Sequence, residues 1–544
     1  MRGTMMTTPL LLSRLIDHAA EHHATTEFVS RRIDGSIERS DWARMRARAK
    51  RLAKALTAHG FKVDDVLGSL AWNTANHIEL FYGALGIGVG LHTLNPRLTP
   101  DDLRYMIEKV GETTVFVDAD TLPLAEKVAA ITPMVTRWVF MDEPGSPVPA
   151  STLPGFITKS DLIGDTDDQF EWPSFDENQA ATICFTSGTT GRPKGVAYSH
   201  RSITLGSINM SMADMYATQR RGALECMMPI AAIFHANGWM MPFTAPMNGA
   251  KLVLNGRDFS PDALVELIDS EGVTITGAVP TIWMDLFDAA DKRGSKLETV
   301  RTGLLAGTRP TRTLAERFET FGIVLCQSWG MTEVPGCARS APPAGWDQLP
   351  EDAQREHHLA RQGRVGFLSE MRIVNDEGQP LPMDGEHSGH LLVRGPIASG
   401  SYVGYSAEEA FDWLETGDIA RIFPDGSMEI VDRAKDVIKS GGEWISTLQL
   451  ESAATSHAQV GEAAVISIPH PRWQERPLLL VTLAPGVATL DEKGLLAHMA
   501  NHVAKWWLPD EIRVIDTMPR TTTGKLDKLT LRKLYSNRSE NIIA

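Results

Sequence analysis

The chain of 544 residues carries only four cysteines, Cys184, Cys226, Cys326 and Cys337. So few exclude a disulfide scaffold, and no CxxC spacing suggests a zinc site. A reducing compartment is the simpler reading. No apolar run reaches the roughly 18 residues that a bilayer crossing needs. The opening segment acquires Arg14, Asp17 and Glu21 too early for a signal peptide, so a cytoplasmic protein without a membrane span is expected. Positive charge is in deficit, with 53 Lys and Arg against 68 Asp and Glu and a net charge of −15, which argues against nucleic acid as a partner. Internal repeats and low-complexity blocks are missing as well.

What is present is the balance of an ordinary soluble protein, 43% hydrophobic and 22% charged, long enough for about three to five domains or subdomains. Residues 41–59 place Trp42, Met45, Ala49, Leu52 and Leu56 at helical spacing before Gly60. The arginines and lysines of that segment read as a solvated face rather than an RNA-binding one. Short apolar runs such as ATICF, TITGAV, RTGLL, HLLV and AAVISI end in glycine-rich or polar turns and read as buried strands alternating with helices. The expected fold is α/β and multi-domain. A compositional seam near 424–442 divides a large N-terminal portion, 1–431, from a small α+β C-terminal domain, 432–544. Gly86-Ile-Gly88-Val-Gly90 lacks the full dinucleotide fingerprint, and His22-His23 and His357-His358 have no partners at metal spacing.

The most informative stretch follows the strand-like ATICF: Thr186-Ser187-Gly188-Thr189-Thr190-Gly191-Arg192-Pro193-Lys194-Gly195. Glycines let backbone N–H groups approach phosphate oxygens, hydroxyls add donors, and a lysine supplies a point charge. The Walker spacing fails, because Pro193 and Gly195 stand where glycine and Ser or Thr are required. Further on come Ser328-Trp329-Gly330-Met331-Thr332-Glu333, Thr416-Gly417-Asp418, Asp432-Arg433-Ala434-Lys435 running into Lys439-Ser440-Gly441-Gly442-Glu443-Trp444, and Pro519-Arg520-Thr521-Thr522-Thr523-Gly524-Lys525.

In this order the five motifs resemble those of the adenylate-forming superfamily, across essentially the whole chain. The run from GRPKGV through WGMTE to IKSGGEW is most similar to the medium-chain and 3-methylthiopropionate group of acyl-CoA ligases. The resemblance implies ATP and CoA as co-substrates, Mg²⁺ as activating ion, and a carboxylic acid converted to its acyl-CoA through an acyl-adenylate. On that basis Thr186 to Gly191 and Lys194 would grip the β,γ-phosphates and Trp329 and Gly330 would flank the adenine. Thr332 would meet the α-phosphate. Glu333, with Thr186, would ligate the metal, for which one or two oxygen ligands suffice.

The same resemblance assigns Asp418 to the ribose hydroxyls, with Arg433 beside it, and makes Asp432 the hinge. Lys439, Gly441, Gly442, Glu443 and Trp444 would border the CoA tunnel, and Lys525 would stabilise the adenylation transition state. Phe234-His235-Ala236-Asn237-Gly238-Trp239 resembles the acyl-pocket segment. His235 would lie near the reacting carboxylate, and Gly238, Trp239 and Trp283 would wall the pocket. Ala306-Gly307-Thr308-Arg309 stands at the adenine segment, where Gly307 and Thr308 would meet the nucleotide and Arg309 is an unexpected bulky charge. A homodimer is compatible with the chain. Rival readings of the same fold are loading of a carrier protein in trans, a luciferase-type oxidative decarboxylase, or an inactive nucleotide-binding relative.

Overall fold

The apolar runs find one another as sheets. The computed structural model describes residues 1, 3–186, 192–212, 224–340, 345–440, 443–520 and 526–535, and of Glu443 the backbone alone. A seven-stranded sheet runs, edge to edge, through Phe156–Thr158, Arg137–Phe140, Thr114–Val117, Val66–Leu70, Gly90–Leu94, Ala180–Phe185 and Gly195–Ser199. All neighbours in it are parallel until the last pair, where Phe185 faces Gly195 across an antiparallel ladder. A nine-stranded sheet has a parallel centre of Val324–Met331, Thr302–Leu305, Ile275–Ala278, Cys226–Pro229, Lys251–Leu254 and Glu27–Arg31. Its strands are hydrophobic on both faces because helices cover both, the condition under which parallel sheets persist.

The carboxyl ends of these two parallel sheets matter most. Gly90–Leu94 and Ala180–Phe185 are parallel neighbours, with Leu91 opposite Thr182, so residues 95–99 and the Thr186–Lys194 loop leave one edge together. From the second sheet the loops after Pro229, Leu254, Ala278 and Leu305 leave the corresponding edge. Crevices outside the carboxyl ends of open parallel sheets are where such folds bind ligands.

An antiparallel third sheet follows, Glu370–Val374, Gly389–Arg394, Leu414–Ile422 and Met428–Arg433. The C-terminal sheet begins only at Ile438 and contains the long hairpin Val460–His470 and Gln474–Leu483. Asp432 and Arg433 are thus still in the ladder of the third sheet, opposite Ile419 and Asp418. Among the described residues no helix is long and apolar enough to cross a membrane, and no group of three His, Cys, Asp or Glu could hold a metal. The four cysteines are free and buried. Burial pushes the thiols of Cys226 and Cys337 up to about 12.

The basic helix runs Trp42–Ala58, capped by Asp41 accepting from the Arg44 N–H, and buries Trp42, Met45, Ala49, Leu52 and Leu56. Its charged face is not uniformly solvated. Arg48 reaches inward to Glu79, at 2.8 Å, on the buried helix Ala75–Leu85, where Lys159 Nζ also donates to the same oxygen at 2.7 Å. Burial alone would raise the Glu79 carboxyl; Lys159 and Arg48 override it and hold it at about 2. A group with a depressed folded pKa stabilises above its unfolded pKa and loses that contribution as the pH falls through the folded one. Lys159→Met should therefore cost about 3 kcal/mol at pH 7, the scale for stranding a buried charge. The difference from wild type should shrink as the pH falls from about 4.5 towards 2. Urea denaturation at both pH values measures this, and equal midpoints at pH 7 would refute the role of the triad.

Candidate active site

One cleft of about 500 Å³ opens where the two parallel edges meet the third sheet. At its first wall Thr186 and Lys194 close the base of the phosphate-type loop. The Thr186 N–H donates to the Lys194 carbonyl at 2.9 Å, and the Lys194 N–H donates to Thr186 Oγ1 at 3.2 Å. The Lys194 ammonium lies 4.6 Å from the centre of the Tyr402 ring. Ser187, Gly188, Thr189, Thr190 and Gly191 lie outside the described residues.

Thr332 and Glu333 form the two-residue turn between antiparallel Val324–Met331 and Val334–Arg339, since Met331 pairs with Val334. Both are buried and line the cleft. Tyr198 donates to the Thr332 carbonyl at 2.5 Å, and Tyr402 donates to Glu333 Oε1 at 2.8 Å. Burial first, and the neighbouring Glu333 second, push the Tyr402 hydroxyl well above its ordinary pKa, so it stays a donor. Gly330 is required by close approach: a Cβ there would sit 2.8 Å from the Gly336 nitrogen and 2.9 Å from the Val334 carbonyl oxygen.

Trp329 departs from the expectation of a ring beside adenine. Successive strand residues face opposite sides, and its indole points into the core of the third sheet, where Nε1 donates to Asp418 Oδ2 at 3.0 Å. Arg433 holds the other oxygen of Asp418 at 3.0 Å. Gly307, at φ +99°, lines the cleft, whereas Thr308 is exposed outside it. Arg309 turns away from the nucleotide side: Nε donates to the Leu359 carbonyl at 2.8 Å and Nη1 meets Glu429 at 3.1 Å.

The cleft also has apolar walls, among them Ile230, Ala231, Val279, Ile282, Leu304 and Trp239, and His235 lines it as well. Residues 236–240 are all left-handed, with φ between 39° and 66°, a conformation that costs about 1–2 kcal/mol per non-glycine residue. Asn237, buried beneath, accepts from Thr182 Oγ1 at 2.5 Å and anchors the turn. The turn swings Trp239 over Gly277, where a Cβ would come within 2.9 Å of its ring.

Two expected wall residues are corrected. Gly238 lies behind the turn against Ala231 and Ile233 and supplies a φ of +57°, not space for ligand. Trp283 is fully buried: its Nε1 donates to the Leu304 carbonyl at 2.8 Å and its ring packs on Phe287 and Phe318. Its helix, Pro280–Arg293, presents Ile282 to the cleft instead.

Asp432 is buried, with Oδ2 accepting from the Thr447 N–H at 2.5 Å and from its hydroxyl at 2.7 Å. Lys439 and Trp444 are not brought to the cleft. Lys439 pairs with Asp376 at 3.4 Å and Trp444 meets the His390 ring at 5.9 Å, both against the third sheet. Glu443 pairs through its backbone with Ser440. Gly441, Gly442 and Lys525 lie outside the described residues. Tyr198, Tyr402 and the left-handed turn were not singled out from sequence, since each acts through contacts far along the chain.

Two large α/β sheets, an antiparallel third and a small C-terminal unit around such a cleft define the adenylate-forming fold. An anthranilate CoA ligase solved with anthranoyl-AMP superposes with a TM-score of 0.84 over 98% of this chain and 99% of its own, at 21% identity. The amide bond synthetase from Marinactinospora thermotolerans gives 0.81 over 96% and 99%, at 23% identity. The family pattern of the AMP-binding enzyme matches residues 16–403 and that of the AMP-binding enzyme C-terminal domain matches 449–525; the chain belongs to this family. It is 42% identical to the 3-methylmercaptopropionyl-CoA ligase of Ruegeria lacuscaerulensis, covering 99% of both chains. It is 39% identical to the medium-chain-fatty-acid–CoA ligase of Ectopseudomonas oleovorans, over 99% of this chain and 98% of that one.

The burial of Trp283 separates a core residue from a wall. Trp283→Ala should cost about 3–5 kcal/mol, the range for emptying a buried aromatic site, seen as a lowered denaturation midpoint. A midpoint unchanged from wild type would return Trp283 to the ligand wall.

Proposed function

We propose that the protein is an acid–CoA ligase acting through an acyl-adenylate on medium-chain or thioether-bearing carboxylic acids. The observation that carries this reading is the meeting of Thr186, Lys194, Thr332 and Glu333 with apolar walls and His235 in one cleft. A carboxylate oxygen attacks the α-phosphorus of ATP and pyrophosphate leaves; the CoA thiol then attacks the acyl carbon, forming the thioester and releasing AMP. Lys194 faces the departing phosphates. Thr332 and Glu333 sit at the α-phosphate, where Lys525 lowers the barrier by countering the charge that develops.

Glu333, with one carboxylate oxygen engaged by Tyr402, and Thr186 are oxygen donors of the kind Mg²⁺ takes. They would hold the ion, which neutralises phosphate charge when bound. Asp418 accepts from the ribose hydroxyls with Arg433 beside it. The small unit turns about Asp432 between the two half-reactions, carrying Lys439 and Trp444 from the third sheet to the cleft. The similarity to the two ligases and the apolar walls support the acid class.

Two measurements test the reading. Lys525→Ala should lower acid-dependent pyrophosphate exchange at least ~10²-fold and spare thioester formation from pre-made acyl-adenylate and CoA; equal loss in both would refute the assignment. Trp239→Ala should deepen the acyl end and raise the kcat/KM ratio of decanoate over hexanoate by about tenfold or more, the scale of one or two methylenes in an apolar pocket. An unchanged ratio would place the tail elsewhere.

A further inference from the structure

Lys194 and Glu333 reach the cleft from two different sheets, and one side chain touches both. Tyr402 donates its hydroxyl to Glu333 Oε1 at 2.8 Å, and the Lys194 ammonium lies 4.6 Å from the centre of its ring. Tyr402 belongs to neither sheet but to the segment 399–403, whose backbone is pinned to both motifs. The Ser399 N–H donates to the Glu333 carbonyl at 2.7 Å, and the Val403 N–H donates to the Gly195 carbonyl at 2.8 Å. The ring itself packs against Tyr405 at 5.3 Å and Phe411 at 5.8 Å. Its place is therefore set by the protein, with no ligand needed to hold it.

The two contacts do different work. Glu333 is buried, and the hydroxyl engages one of its oxygens while no described residue donates to the other. A donor behind a ligating carboxylate fixes the rotation of that carboxylate and aims its second oxygen at a cation. Burial, and the charge of Glu333 after it, keep the hydroxyl protonated and so able to donate. Lys194 is exposed, and among the described residues no acid pairs with it. A cation over a ring at an exposed site is weak, worth a factor of about two to five in an equilibrium. Charge-assisted bonds to phosphate oxygens are far stronger. The ring thus orients the ammonium without competing for it.

We propose that Tyr402 is a positioning residue for the phosphate half of the reaction, and that its two contacts are separable. The hydroxyl aims Glu333 at the divalent cation that accompanies ATP, and the ring seats Lys194 until phosphate oxygens take the ammonium. This rests on the acid–CoA ligase reading and adds to it a residue that touches no reacting atom. Packing alone would be served by any ring at this place, and it predicts no difference between ATP binding with and without the metal.

The test uses the full-length protein and its Tyr402→Phe and Tyr402→Leu variants, with ATP binding measured by titration calorimetry in Mg²⁺ and in EDTA. Tyr402→Phe keeps the ring and loses the hydroxyl. It should weaken ATP binding about tenfold or more in Mg²⁺, the scale for removing a partner behind a metal ligand, and stay within about twofold of wild type in EDTA. Tyr402→Leu loses both contacts and should weaken binding in EDTA as well, by about two- to fivefold. In a Lys194→Met background that second loss should vanish, as a double-mutant cycle requires of a direct contact. In pyrophosphate exchange with hexanoate, Tyr402→Phe should raise the Mg²⁺ concentration giving half the maximal rate and leave the KM for hexanoate unmoved. Equal weakening of Tyr402→Phe in Mg²⁺ and in EDTA, or none in either, would overturn the role of the hydroxyl. A Tyr402→Leu loss that persists undiminished without Lys194 would overturn the role of the ring and make it packing, which a lowered melting temperature would corroborate. A wild-type protein that exchanges no pyrophosphate with hexanoate or any longer acid would refute the ligase reading itself, an outcome distinct from any confined to the variants.

Discussion

Much of the site depends on the register of one ladder, that between Leu414–Ile422 and Met428–Arg433. It sets Asp418 opposite Arg433 and Ile419 opposite Asp432. Because adjacent positions of a strand face opposite sides, the two buried carboxylates are sent in opposite directions. Asp418 goes to Trp329 and Arg433, Asp432 to Thr447 and the C-terminal unit. A slip of one residue would exchange these faces and strand both charges, and a buried carboxylate without donors costs several kcal/mol. The wall of the cleft at Thr416, Gly417 and Arg433 and the attachment of the small unit are therefore set by the same pairing. Burial still raises the Asp432 carboxyl, against the pull of Lys528 and Thr447.

The apolar half is held by a different means. The turn at 236–240 keeps four non-glycine residues at positive φ, a cost no local preference recovers. What over-determines it is tertiary: Thr182 on the buried strand fixes Asn237, and Met240 and Met241 are buried just beyond. Strain of this kind persists where the surroundings insist on it. Here its product is an indole on the wall of the cleft packed so closely on Gly277 that the pair fixes its place.

The parts legible in the sequence were those in which a short motif follows an apolar strand. Thr186 and Lys194, Thr332 and Glu333, and His235 and Trp239 come together in one cleft because each pair sits at the carboxyl end of a strand. Side-chain direction was not legible. Trp283 and Ile282 differ by one position at the start of a helix, and only the packing of Phe287 and Phe318 shows which faces inward. Trp329 looked like a ring beside a base until the indole N–H found its acceptor 89 residues away. The rings of Trp72, Phe234 and Phe259 gather around the Arg97 guanidinium, residues too far apart in sequence for any spacing rule to join. Gly238 suggested room, yet positive φ was the property in use.

The charges around the pivot indicate where the proposed rotation would yield. Lys528 donates to Glu451 and to the Thr447 hydroxyl, both at 2.7 Å, and Arg532 pairs with Asp436. Lys528 and Glu451 are both largely buried, with side chains 11% exposed, and breaking a buried pair costs about 3–5 kcal/mol. This cluster joins the helix Thr447–Thr455 to the helix Lys528–Tyr535, so the small unit moves as one piece. The tie across the seam is weaker. Lys439 and Asp376, which pair across it, have side chains 50% and 53% exposed, and such a solvated pair contributes about 1 kcal/mol at most. Turning about Asp432 while it keeps its bonds to Thr447 therefore sacrifices the Lys439–Asp376 pair. Asp418 and Arg433, both in the third sheet, keep their pair and the Trp329 donor through the change.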